Sequence, residues 1–113
     1  MAAPDDAGAV VRDFEAAVNM TPAELERWLA TDESRAVGVT HGEGRESVGH
    51  HSGRRIVALL RKHRSELDAG DLAHMRKVTG YVHRHLAQRP AGEVRDTRWR
   101  WSLMNWGHDP SKA

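Results

Sequence analysis

The 113-residue chain has no cysteine, which excludes disulfide frameworks, thiol nucleophiles and the usual structural zinc sites. No apolar run approaches the roughly 20 residues that span a bilayer, and no N-terminal stretch resembles a secretory signal. A cytoplasmic protein with no membrane contact is therefore expected. Strand-like alternation and internal repeats are missing, as is a phosphate-cradling Walker sequence. Helix-turn-helix, zinc-finger and RNA-recognition signatures are absent too, so sequence-specific base reading has no support, and no cofactor is implied. Net charge is also scarce, at +1, but that figure conceals an asymmetry. Up to Glu46 four basic residues face ten acidic ones, a balance of −6, and from Ser47 onward thirteen face six, a balance of +7. Such a split implies either an intramolecular charge match or a basic surface for an anionic partner.

The hydrophobic pattern is helical throughout and predicts one all-α domain of about five helices, flexible over 1–8 and 111–113 and ordered over 9–110. Val10, Val11, Phe14, Ala17 and Val18 predict a helix from about Ala9 to Asn19. Thr21-Pro22-Ala23-Glu24 is an N-cap, a first-position proline and a capping-box glutamate, opening a helix to about Thr31. Asp32 to Gly49, with four glycines, reads as an irregular connection long enough to be a functional loop. A helix to about Arg64 follows, with two candidate caps. Ser52 would put Arg54 and Arg55 in the first turn, where an anion would favour them, whereas Ser47 would put Gly49 and Gly53 on one face for close contact.

The longest element is predicted over Asp71 to Gln88, capped by Asp68 and Asp71 and closed by Pro90 and Gly92. Leu72, Met75, Val78, Thr79, Val82 and Leu86 make its apolar arc, and Lys77, Arg84 and Gln88 lie opposite, so the other helices are expected to pack around it. A last helix from Asp96 or Thr97 to Gly107 carries Trp99, Leu103 and Trp106 on one face and Trp101 with Met104 on nearly the other. The expected core is Phe14, Val18, Leu25, Trp28, Leu29, Ile56, Leu59, Leu60, Leu72, Met75, Val78, Val82, Leu86, Trp99, Leu103 and Trp106.

Four ordered blocks, Asn19–Leu29 (NMTPAELERWL), Ser47–Val57 (SVGHHSGRRIV), His74–Pro90 (HMRKVTGYVHRHLAQRP) and Ser102–Pro110 (SLMNWGHDP), resemble domain of unknown function 3140. The resemblance covers nearly the whole chain from about Phe14. It implies one small helical domain, often labelled DNA-binding, and it brings no catalytic residues.

Three functional classes remain. Arg54, Arg55, Arg61, Lys62, Arg76, Lys77 and Arg84 form a candidate surface for DNA or RNA phosphates, with Trp101 available to stack on a base; the bland alternative is a solvated basic face balanced by the acidic N-terminal half. Trp101 and Met104 are candidates for an interface with a protein partner or a second copy of the chain. A metal or acid–base site would have to gather histidines from separate elements, for example His50 or His51 with His74, because His83 and His85 project about 160° apart on one helix. No metal ligand set and no catalytic residue is assigned.

Overall fold

The computed structural model describes residues 4–38 and 46–112, which form six α-helices and, among the described residues, no strand. These are α1 (Pro4–Ala17), α2 (Pro22–Leu29), α3 (Asp32–Ala36), α4 (Val48–Leu60), α5 (Ala69–Ala87) and α6 (Arg98–Asn105), with single 3₁₀ turns at Arg64–Glu66 and Pro110–Lys112. α1 starts well before Ala9, with proline at its first position, where the missing N–H has no intrahelical partner to lose. At α2 the capping box forms as expected: Thr21 Oγ1 accepts from the Glu24 amide at 3.2 Å, and Glu24 Oε1 accepts from the Thr21 amide at 2.9 Å. α3 lies in the segment expected to be irregular. Its cap is Thr31, whose hydroxyl oxygen accepts from the Ser34 amide, and Asp32 and Glu33 in its first turn suit the helix dipole. Residues 39–45 of that expected loop lie outside the described residues.

Ser47 is the cap of α4, its Oγ accepting from the His50 amide at 3.0 Å. Arg54 and Arg55 therefore sit in mid-helix, and Gly49 and Gly53 are buried on the packed side. A Cβ at Gly53 would lie 2.6 Å from the Asn105 carbonyl oxygen and 2.7 Å from Leu29 Cδ2, so this glycine sets how closely α4 approaches α6 and α2. α5 opens on the reciprocal Asp68–Asp71 box. α6 closes on Gly107 at φ +84°, with the Gly107 N–H donating to Met104 O and the His108 N–H to Leu103 O, the paired bonds of a Schellman end.

α5 packs along α1, and α4 along α2. In its closest contacts the short α6 meets α2, α3, α4 and α5, so the tryptophan-bearing helix shares the organising position expected of the long one. α5 has 19 residues against 14 in α1. Leu72 and Leu86 lie near its ends and, like Trp28 and Leu60, are only partly buried rather than core. Val11, Met20, Val57, Val94 and Met104 complete the interior instead, around Phe14, Leu25, Ile56, Val78, Val82 and Leu103. No helix among the described residues is long and apolar enough to cross a membrane.

Candidate nucleic-acid interface

The seven cations expected to meet phosphate divide into two groups. Arg54 forms a fork on Glu46, with Nε donating to Oε2 at 2.8 Å and Nη2 to Oε1 at 2.5 Å, and this holds the Glu46 carboxyl down to about 2, with His50 adding to the effect. Arg61 donates to Glu26 at 2.5 Å. Lys62 donates to Asp71 Oδ2 at 2.7 Å and lowers its pKa, and Arg55 lies 3.6 Å from the same carboxylate. An arginine held by a carboxylate projects a weaker field and must exchange partners before it can take a phosphate.

Arg76, Lys77 and Arg84 behave differently. All three are exposed, and none has an ion-pair partner among the described residues. At 100° per residue they share one side of α5 with the exposed His83, and Ala69, Ala73, Gly80 and Ala87 run down the middle of that side. The cationic side chains thus flank a low floor of small residues, about 12 Å long from Arg76 to Arg84 at 1.5 Å per residue. No acidic residue interrupts it.

The reverse side of α5 holds this face in place. His74, Tyr81 and His85 of α5 interleave with Trp106 and Trp99 as a column of near-parallel rings: His74 to Trp106 at 6.4 Å, Trp106 to Tyr81 at 4.1 Å, Tyr81 to His85 at 5.3 Å and His85 to Trp99 at 5.5 Å. The Arg89 guanidinium caps it, 5.6 Å from the Trp99 ring centre. Trp99 Nε1 donates to the His85 carbonyl and His85 Nε2 to the Trp99 carbonyl, both at 2.8 Å, which locks the helices in register. Trp99 and Trp106 were expected in the core on one face of α6, but the column itself was not legible in the sequence, because only the α5–α6 crossing brings the rings together.

A family model described as "Protein of unknown function (DUF3140)" matches residues 13–104, from α1 into α6. The chain belongs to the DUF3140 family. No curated protein and no solved structure matches it. Family membership assigns no chemistry, so the remaining candidate residues of this DUF3140 chain are judged on their surroundings.

His50 reaches from Glu46 to the Leu29 carbonyl, the latter at 2.7 Å, while His51 is exposed beside Glu46 and Arg54. His74 turns elsewhere, its Nε2 2.9 Å from Ser52 Oγ. The histidines weighed as ligands from separate elements thus have separate partners, and among the described residues no group of three or more His, Asp or Glu converges on one point. Burial, followed by the charges of Arg55 and Lys77, pushes His74 down to about 4, so its ring is neutral at pH 7. Ser52 itself is 2% exposed, out of reach of a substrate carbonyl. Trp101 is partly exposed where Trp99 and Trp106 are buried, as expected, but Met104 is buried at 8% within the chain's own core and does not join Trp101 on an open face.

Asn105, absent from the expected core and sites, is 1% exposed and makes three side-chain hydrogen bonds. Its Oδ1 accepts from Trp28 Nε1 at 2.8 Å and Ser34 Oγ at 2.5 Å, and its Nδ2 donates to the Ser34 carbonyl at 3.0 Å. It ties α6 to α2 and α3 and has a structural role.

Proposed function

We infer that this protein is a non-enzymatic, cytoplasmic nucleic-acid-associated protein whose phosphate-binding surface is the solvent side of α5. The observation that carries this reading is the run of Arg76, Lys77, His83 and Arg84 around small residues, without a carboxylate partner among the described residues, while the other four expected cations are occupied by Glu26, Glu46 and Asp71. Such a face binds a phosphate backbone by charge and counterion release and has no means of reading bases, so DNA and RNA of any sequence are its class of partner.

The test is a fluorescence-anisotropy titration of labelled duplex and single-stranded DNA and RNA at several salt concentrations. On duplex DNA the log–log salt slope changes by about 0.9 per phosphate contact, so replacing Arg76, Lys77 and Arg84 together by Ala reduces it by roughly 2 to 3 units. Replacing Arg54 and Arg55 by Ala changes it by less than about one unit, because their charge is already matched within the chain. Absence of binding at low salt, or a slope the triple variant leaves unchanged, sinks the reading.

A second reading, a self-associating or protein-binding helical module, rests on Trp101, a partly exposed indole in a short chain. Sedimentation velocity on the wild type and Trp101→Ala separates the two: a dimer lost in the variant, with salt-independent association, favours this alternative.

A further inference from the structure

A cleft of about 290 Å³ lies between the start of α4 and the α5–α6 crossing, lined by Gly38, Val48, Gly49, Tyr81, Ser102, Asn105 and Trp106. That volume is at the small end of the roughly 300–1,000 Å³ of ligand pockets. Its surface is mostly apolar, and none of the described lining residues is charged. It has unpartnered donors all the same. Trp106 is only 4% exposed, and its indole N–H has no hydrogen-bond partner among the described residues. A Cβ on Gly49 would stand 3.1 Å from Trp106 Nε1, which places the indole N–H against the first turn of α4. It is not sealed there: the one fully enclosed and unpartnered side-chain polar atom among the described residues is His108 Nε2. The Ser47 hydroxyl takes the His50 amide, leaving the Val48 and Gly49 amides at the positive end of a 13-residue helix without an acceptor among the described residues. The Tyr81 and Ser102 hydroxyls likewise have no partner there. Glu46, the nearby carboxylate, is held by Arg54 and His50, the latter turned toward the α2 carbonyl of Leu29.

We propose that this cleft binds a small aromatic carboxylate, its ring against Tyr81, Trp106 and Val48 and its oxygens accepting from Trp106 Nε1 and the Val48 and Gly49 amides. An indole N–H and two helix-end amides donate only, so they favour an anion or a strong acceptor and reject a cation. Tyr81 and Trp106 turn their faces to neighbours in the ring column and present their edges to the cleft, an apolar wall on which the face of a planar ring packs edge to face. Gly49 is the enabling residue, since any side chain there would press on the indole nitrogen and cover the amides. The site uses none of the cationic side chains of α5, although Tyr81 lies beside Arg84, and it stands or falls independently of nucleic-acid binding.

The experiment titrates ¹⁵N-labelled protein with sodium benzoate at neutral pH, with benzyl alcohol as the uncharged probe of the same size and sodium acetate as the anion without a ring. The Trp106 indole resonance is identified by its loss in Trp106→Phe. Benzoate shifts that resonance and the Val48 and Gly49 amides saturably, leaving the Trp28 and Trp99 indoles still. Benzyl alcohol and acetate each bind about tenfold or more weakly, the loss expected when a charge-assisted hydrogen bond or the ring contact is missing. Trp106→Phe, which keeps the ring stack and removes the donor, weakens benzoate by about tenfold, read from the two amides. Gly49→Ala abolishes the saturable shift, and it serves alone if Trp106→Phe does not fold by circular dichroism. No saturable shift with benzoate, equal binding of benzyl alcohol or acetate, or wild-type binding by Gly49→Ala overturns the proposal.

Discussion

A methyl group at position 107 would meet Val18 Cγ1 at 2.9 Å while its backbone sat at φ +84°. Gly92 has nearly the same φ, +86°, but nothing within 4 Å of its Cβ position. The two glycines therefore separate backbone strain from packing. Gly92→Ala carries only the left-handed strain, about 1 kcal/mol, whereas Gly107→Ala adds the overlap with Val18 and loses about 2 to 4 kcal/mol, measured by urea denaturation. Equal losses would mean that Val18 yields freely. The helix-ending role of Gly107 was legible in the sequence, because glycine followed by Pro110 signals a C-terminus. Its second role was not: the Gly107 carbonyl accepts from the Asn19 and Met20 amides, contacts made across almost the whole chain. Asn105 was illegible for the same reason, since an asparagine in a tryptophan-rich helix shows its partners only when α2 and α3 are placed beside it.

Among the elements, caps were the most readable feature, because Thr21, Asp68 and Thr97 bond three residues ahead and need no tertiary context. Ser47 and Ser52 offered competing starts for α4, and packing decided between them: with Ser47 as cap, Gly49 and Gly53 face α6. α3 escaped notice because five residues are too few to show periodicity, although Thr31 ahead of two acids was a usable signal. The long apolar arc of α5 was read correctly, yet arcs do not reveal how far a partner helix extends. Leu103, sealed in α6, and Leu86, partly buried near the end of α5, test that distinction. Leu103→Ala costs roughly 2 to 5 kcal/mol, while Leu86→Ala costs about 1 to 2 kcal/mol because water already reaches the site. Chemical denaturation of both variants checks the order, and a larger loss for Leu86 would contradict the placement of α5 against α1.

For the whole molecule, part of the charge split between the halves resolves into ion pairs within the chain. Glu15, Glu24, Glu26 and Glu46 of the acidic half pair with Arg64, Lys112, Arg61 and Arg54 of the basic half. Exposed pairs of this kind add little to stability, so their main effect is to cancel charge locally, and the cations of the α5 face lie outside them. The pairs and the buried imidazole also set the acid response. Glu24 is held down to about 2, first by its hydrogen bond from Lys112, and Glu46 to about 2, first by Arg54, so what they contribute is present above their ordinary 4.5 and disappears as pH falls toward 2. His74 acts in an earlier window. Its folded value of about 4 lies below the ordinary 6.5, so the unfolded chain takes up the proton first, and stability is complete above 6.5 and declines as pH falls toward 4. Acid unfolding is therefore expected in two stages, with the first belonging to a single ring stacked on Trp106 and bonded to Ser52. Urea midpoints followed by circular dichroism at roughly pH 7.5, 5 and 3 resolve the stages. Wild type loses stability between the first two values, and His74→Gln, though less stable at the highest pH, loses distinctly less over that interval while keeping the later decline. If the variant shows the full early loss, protonation of His74 is not its cause, and the charge on another group must be opening the α4–α5 contact.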